Sequence, residues 1–71
     1  MFFKMIQLII NGKPQHFDST LSVSQLLEGM TLKNKRIAVE CNGQIIPRSK
    51  FEEQTLTDGD QLEIVVAVGG G

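Results

Sequence analysis

The pair Asn-Gly occurs twice, at Asn11-Gly12 and Asn42-Gly43, each time between runs of alternating apolar residues. Both residue types accept a positive φ, which a two-residue β-hairpin turn demands at its two central positions. Two tight hairpins are therefore expected. Before the first turn, Ile6, Leu8 and Ile10 fall on one face of a strand over 4–10, and Met5, Gln7 and Ile9 on the other. After it, 13–17 reads as a short strand. Its Pro14 suits a sheet edge, where a missing N–H removes no pairing. Around the second turn, Ile37, Val39 and Cys41 share one face of a strand over 36–41. The returning strand, 44–46, stops at Pro47.

Between the hairpins lies a helix. Ser22-x-x-Gln25 is a capping box, in which two free backbone donors are satisfied by side chains. Val23, Leu26, Leu27 and Met30 then form one apolar stripe, and Gly29 marks the end of the helix. Residues 49–54 support one or two helical turns at most, and Asp58-Gly59-Asp60 is a further turn. The last strand spans 61–68. Leu62, Ile64, Val66 and Val68 point one way, and Glu63, Val65 and Ala67 the other. As the most apolar strand it belongs at the centre, beside and parallel to the first. The class is α+β: a mixed sheet of four to five strands with one main helix on one face, the β-grasp architecture. The domain is expected over 1–68, followed by a flexible tail over 69–71.

Composition narrows the functions. With 71 residues and one cysteine, the chain has no disulfide staple and no multi-cysteine metal site, so its apolar residues are committed to packing. No metal site is expected. Seven Lys and Arg against eight Asp and Glu leave no basic excess for nucleic acid. No run approaches the length of a membrane span, and Met1-Phe2-Phe3-Lys4 lacks the pattern of a secretory signal. A cytoplasmic location is expected.

The inventory for catalysis is thin. A nucleophilic pair would need Cys41 beside His16, and the two fall on non-adjacent strands. Cys41 reads as a core residue and His16 as a solvated edge residue. Glu52, Glu53, Asp58, Asp60 and Glu63 read either as a solvated face or as a docking surface for a basic partner. Asp58 and Asp60 also suit turn formation. Lys33, Lys35 and Arg36 form a basic cluster too small for nucleic-acid affinity. Met5, Ile9, Val65 and Ala67, with Phe3, face away from the helix. They form either a partner-docking face or a surface covered by the turns around Pro47 and Phe51.

The remaining feature is the run Gly69-Gly70-Gly71. Three extended residues reach roughly 10 Å. Without Cβ atoms such a tail threads a channel too narrow for other residues. Its carboxylate is ionised at neutral pH. Another enzyme can convert such a group to an acyl-adenylate, open to attack by sulfur or nitrogen. On that reading the chain is a reagent carrier rather than an enzyme.

Several stretches carry a resemblance. They are Val39-Glu40-Cys41-Asn42-Gly43 running into Ile46-Pro47-Arg48, Leu56 with Asp58-Gly59-Asp60, Glu63-Ile64-Val65, and the ending Val68-Gly69-Gly70-Gly71. In these the chain resembles the ThiS family of sulfur carrier proteins of thiamine biosynthesis, within the ubiquitin-like β-grasp superfamily. The resemblance implies that an E1-like adenylating enzyme, ThiF, activates the Gly71 carboxylate with ATP. Sulfur from a cysteine desulfurase or another donor then gives a thiocarboxylate, and thiazole synthase, ThiG, takes the sulfur. It implies Gly71 as the reacting residue, Gly70 and Gly69 as the tail, and no bound cofactor, since ATP and sulfur are handled by the partners. Two other readings share the tail. One is a molybdopterin-synthase type of sulfur carrier, the other a ubiquitin-like modifier joined to lysine through Gly71.

Overall fold

The structure, a computed structural model, describes residues 5–32 and 35–67. Strand β1 is Ile6–Ile10, β2 Lys13–Phe17 and β3 Leu21–Ser22, followed by helix α1, Val23–Gly29. Then come β4, Ile37–Cys41, and β5, Gln44–Ile46. A 3-10 turn over Arg48–Lys50, β6, Thr55–Leu56, and β7, Gln61–Val66, complete the order.

Both Asn-Gly pairs make the expected turns. Asn11 and Gly12 have φ of 52° and 81°, and Asn42 and Gly43 of 52° and 85°. Two positive values in succession define the hairpin turn whose twist matches its strands. The hairpins do not pair with each other. Strand β7 lies between them, giving the order β2-β1-β7-β4-β5. It runs parallel to β1, with Ile9 opposite Gln61 and Ile10 opposite Leu62. It runs antiparallel to β4, from Ile37 opposite Val66 to Cys41 opposite Leu62. Pro14 sits on β2, an edge strand as expected.

The helix begins where the capping box puts it. Gln25 donates its backbone N–H to Ser22 Oγ at 3.0 Å, and Ser22 donates its own to Gln25 Oε1 at 2.8 Å. The two preceding helical N–H groups go elsewhere. Val23 donates to the Gln54 carbonyl at 3.0 Å and Ser24 to the Phe51 carbonyl at 2.9 Å. The orphan donors of the first turn thus fasten the 48–54 segment to the helix.

Alongside this seam, β3 pairs with β6 in a small second sheet, Leu21 opposite Leu56. The sequence pattern did not announce this sheet, because two-residue strands show no period. Leu56 is nonetheless fully buried. It joins Ile6, Leu8, Val23, Val39 and Leu62 at the centre of a single core between the sheet and α1.

The helix ends at Gly29, yet the left-handed residue that closes it is Thr31, with φ of 58°. Leu32 donates its N–H back to the Leu27 carbonyl at 2.8 Å, the long return bond of a Schellman closure. A β-branched residue is strained in that region, by about 1–3 kcal/mol. Thr31→Gly is therefore expected to raise stability by about 1 kcal/mol and the melting temperature by about 4–8 °C. Thermal unfolding checks this, and an unaltered or lower midpoint would refute it.

Candidate functional site

The central strand is also the last described element. Residues on β7 alternate between neighbours, and the odd-numbered ones bond to β4. The series ends with Ala67, whose N–H donates to the Arg36 carbonyl at 2.8 Å. Even-numbered residues face β1, which stops at Ile10. Beyond that point the Asn11 side chain continues the ladder. Its Oδ1 accepts the Ile64 N–H at 2.8 Å, and its Nδ2 donates to the Ile64 carbonyl at 3.2 Å. Asn42 does similar work on the other side. Its Oδ1 accepts the Gln61 N–H at 3.0 Å, and its backbone N–H donates to the Gln61 carbonyl at 2.7 Å. The two residues that shape the hairpin turns thus also clamp β7. Sequence reading found them as turn formers. An amide reaching a strand more than fifty residues away along the chain gave no local signal.

Gly69, Gly70 and Gly71, together with Val68, Phe3 and Lys33, lie outside the described residues. The boundary between domain and tail, expected after 68, falls there too.

The four residues expected to form an outward docking face do not gather in one patch. All lie on the face away from the helix. The parallel register sets Ile9 opposite Gln61, so Val65 lies four residues past that partner and Met5 four residues before Ile9. At about 3.3 Å per residue, Met5 and Val65 are roughly 26 Å apart along the strands. Met5 is exposed beside the 58–60 turn, while Val65 and Ala67 sit at the far end of β7, with Val65 opposite Ala38. Alternation fixes a face but not the stagger of parallel strands, so the spread of these residues along that face was not legible. The turn at Pro47 does not cover this face either, since Phe51 packs against the core instead. Ile45, which the sequence did not single out, is the most exposed large apolar side chain among the described residues, at 76%.

The acids divide. Asp58 Oδ1 accepts the Gln7 N–H at 2.7 Å. Asp60 accepts the Thr57 N–H at 2.9 Å and the Asn42 amide at 3.0 Å. These two build the turn that feeds β7. Glu40 and Glu63 stand directly opposite each other on β4 and β7, a repulsive placement. Glu53 meets Lys50 at 3.4 Å in a pair exposed on both sides, which contributes little.

The cations meet at the exit of β7. Arg48 Nη2 donates to the Lys35 carbonyl at 3.2 Å, next in sequence to the Arg36 carbonyl that holds Ala67. Lys35 and Arg36 were grouped from sequence, and Arg48 is added by the fold.

Cys41 and His16 do not meet. Cys41 is buried in the core as expected. Burial pushes its thiol pKa up, and the Asp60 carboxylate pushes it further. His16 is exposed on β2, separated from β4 by β1 and β7. Among the described residues no cluster of acids, histidine and cysteine suits a metal ion, and no helix is long and apolar enough to cross a membrane.

These features agree with what the chain is similar to. The sequence model of the ThiS family matches residues 8–71. The chain belongs to the ThiS family. The sulfur carrier protein ThiS of Bacillus subtilis is 41% identical over 68 residues, covering 94% of this chain and all of that one. The crystal structure of the thiamine biosynthesis protein ThiS from Geobacter metallireducens matches with a TM-score of 0.79 at 35% identity. It covers 93% of this chain and all of that one. A thiazole synthase of Paramagnetospirillum magneticum is 38% identical over 66 residues. That match spans 93% of this chain but only 20% of that protein. ThiS-family membership accounts for the β-grasp order of elements.

Two measurements test the site. Asn11→Gly keeps a residue that tolerates positive φ but removes the amide. It is expected to lower stability by about 1–3 kcal/mol in urea titration, the range for stranding a part-buried strand donor. No loss would mean that the clamp is inert. Cys41 in the folded protein is expected to react with iodoacetamide at pH 7 at least about tenfold more slowly than in urea-unfolded chain. Equal rates would place the thiol in solvent.

Proposed function

We propose that this chain carries sulfur for thiazole formation in thiamine biosynthesis, as a protein substrate rather than a catalyst. Its reactive group is the carboxylate of Gly71. An E1-like adenylating enzyme, ThiF, directs that carboxylate onto the α-phosphorus of ATP, and pyrophosphate leaves. Sulfur supplied through a cysteine desulfurase or another donor displaces AMP, leaving a thiocarboxylate. Thiazole synthase, ThiG, accepts the sulfur. The chain holds no cofactor, and ATP and sulfur belong to the partners' chemistry. On this reading the protein works in the cytoplasm.

The observation that carries the reading is the family match running to Gly71, supported by a described domain that keeps Cys41 buried and His16 on a non-adjacent strand. Thiazole synthases that contain a stretch like this chain support the last step, because fusing two proteins raises the effective concentration of one for the other. Glycines 69–71 supply a thread without Cβ atoms, which suits passage into a narrow site.

Mass spectrometry of the protein isolated from growing cells tests the proposal. A fraction of the chain is expected to carry sulfur in place of one terminal oxygen, and more of it when thiazole synthase is removed. Gly71→Ala is expected to cut ATP–pyrophosphate exchange by the adenylating enzyme at least about tenfold while leaving the melting temperature unaltered. Lysine adducts of Gly71 without any thiocarboxylate would overturn the sulfur-carrier reading in favour of a protein modifier.

A further inference from the structure

We infer that Lys35, Arg36 and Arg48 form a basic collar at the exit of β7, which docks on an acidic rim around the entrance to the site that activates the chain's terminus. The inference rests on the reading that the Gly71 carboxylate is the reacting group.

Reach comes first. Ala67 is tied to the Arg36 carbonyl at 2.8 Å. The four residues after it span at most about 13–14 Å when fully extended. An acyl-adenylate must be kept from water, so it forms inside the partner rather than on its surface. Depth uses up part of that short reach. The protein surface around Ala67 is therefore brought against the mouth of the partner's site.

Charge comes second. The described residues include five Lys and Arg, and three of them are at this exit. Of the other two, Lys50 pairs with Glu53, and Lys13 lies beside the β1–β2 turn. The acids sit elsewhere along β7. Asp58 and Asp60 stand before its first residue, and Glu40 and Glu63 face each other in its middle. Glu52 shares a shallow groove with Lys35 and Arg48 and is the acid nearest the collar in that groove. A chain of net charge −1 is thus cationic beside the end of its last described strand.

Construction comes third. The Arg48 guanidinium spends one N–H on the Lys35 carbonyl at 3.2 Å. That bond fixes the side chain and leaves further donors of the planar fork free. Such a fork suits a carboxylate better than a phosphate-free apolar surface. The complement of this surface is a ring of Asp or Glu. Opposed charges of this kind steer encounter and set partner choice more than they add raw affinity.

The test uses the full-length chain with its adenylating enzyme. ATP–pyrophosphate exchange is measured as a function of carrier concentration and of salt. The double variant R36E/R48E is expected to raise the KM for carrier at least about tenfold, with kcat within about twofold of the parent. The parent's KM is expected to rise with salt more steeply than the variant's. K13E, the same kind of charge change away from the collar, is expected to leave KM unaltered. Circular dichroism verifies folding, and R36Q/R48Q serves where charge reversal disturbs it, with a smaller rise in KM expected. A KM within twofold for either collar variant overturns the inference, and so does an equal rise for K13E. A KM that falls would show that the collar holds the chain's own terminal carboxylate, which also overturns it. A parent chain that supports no exchange at all would instead sink the proposed function, and the collar with it.

Discussion

The structure depends on how its central strand is held. Strand β7 has only two residues in register with β1, too few to fix a strand at the middle of a sheet. The shortfall is met by Asn11, whose side-chain amide occupies the place of a further strand residue against Ile64. On the opposite side Asn42 closes on Gln61. The residues that let each hairpin turn also bind the two hairpins to the strand between them. The inner face of β7 can then be covered by α1, and its far end delivered beside Arg36.

What was legible in the sequence was local. The Asn-Gly turns, the Ser22–Gln25 capping box and the edge position of Pro14 each depend on residues within four positions of one another. The strand read over 61–68 was placed at the centre because it is the most apolar, and β7, Gln61–Val66, is central. What escaped reading was set by distance. The β3–β6 pair is too short to show a period, though it buries Leu56 completely. The carbonyls of Phe51 and Gln54 at the helix start belong to an irregular segment. The stagger of parallel strands separated Met5 from Val65, and no alternation within one strand reports stagger. At the site, the glycine run was read from composition and resemblance, and it lies outside the described residues. Arg48 reaching Lys35 was not legible, because an arginine in an exposed turn carries no mark of its partner.

The chemistry that the domain lacks fits what it is proposed to carry. A thiolate attacks any activated acyl group it can reach, and a thiolate on the chain that bears such a group at its own end would be the nearest nucleophile. The only thiol here is in the core, with its proton held by burial and by Asp60. The only imidazole stands on the far edge strand. Packing for stability and silence toward its own terminus are met by the same placement of Cys41.

The sheet order has a consequence for biosynthesis. The strand at the centre is the last described element to be made. Until β7 emerges from the ribosome, the nascent chain holds two separate hairpins, and isolated hairpins are marginal in water. Pairing of the first strand with the last also demands closure of nearly the whole chain, which slows folding until synthesis has passed residue 66. Translation that stops early therefore yields no folded domain. Any molecule that displays this surface has already been read through to the threshold of its glycines. An enzyme that recognises the fold therefore meets, without a separate check, only chains in which β7 has been completed.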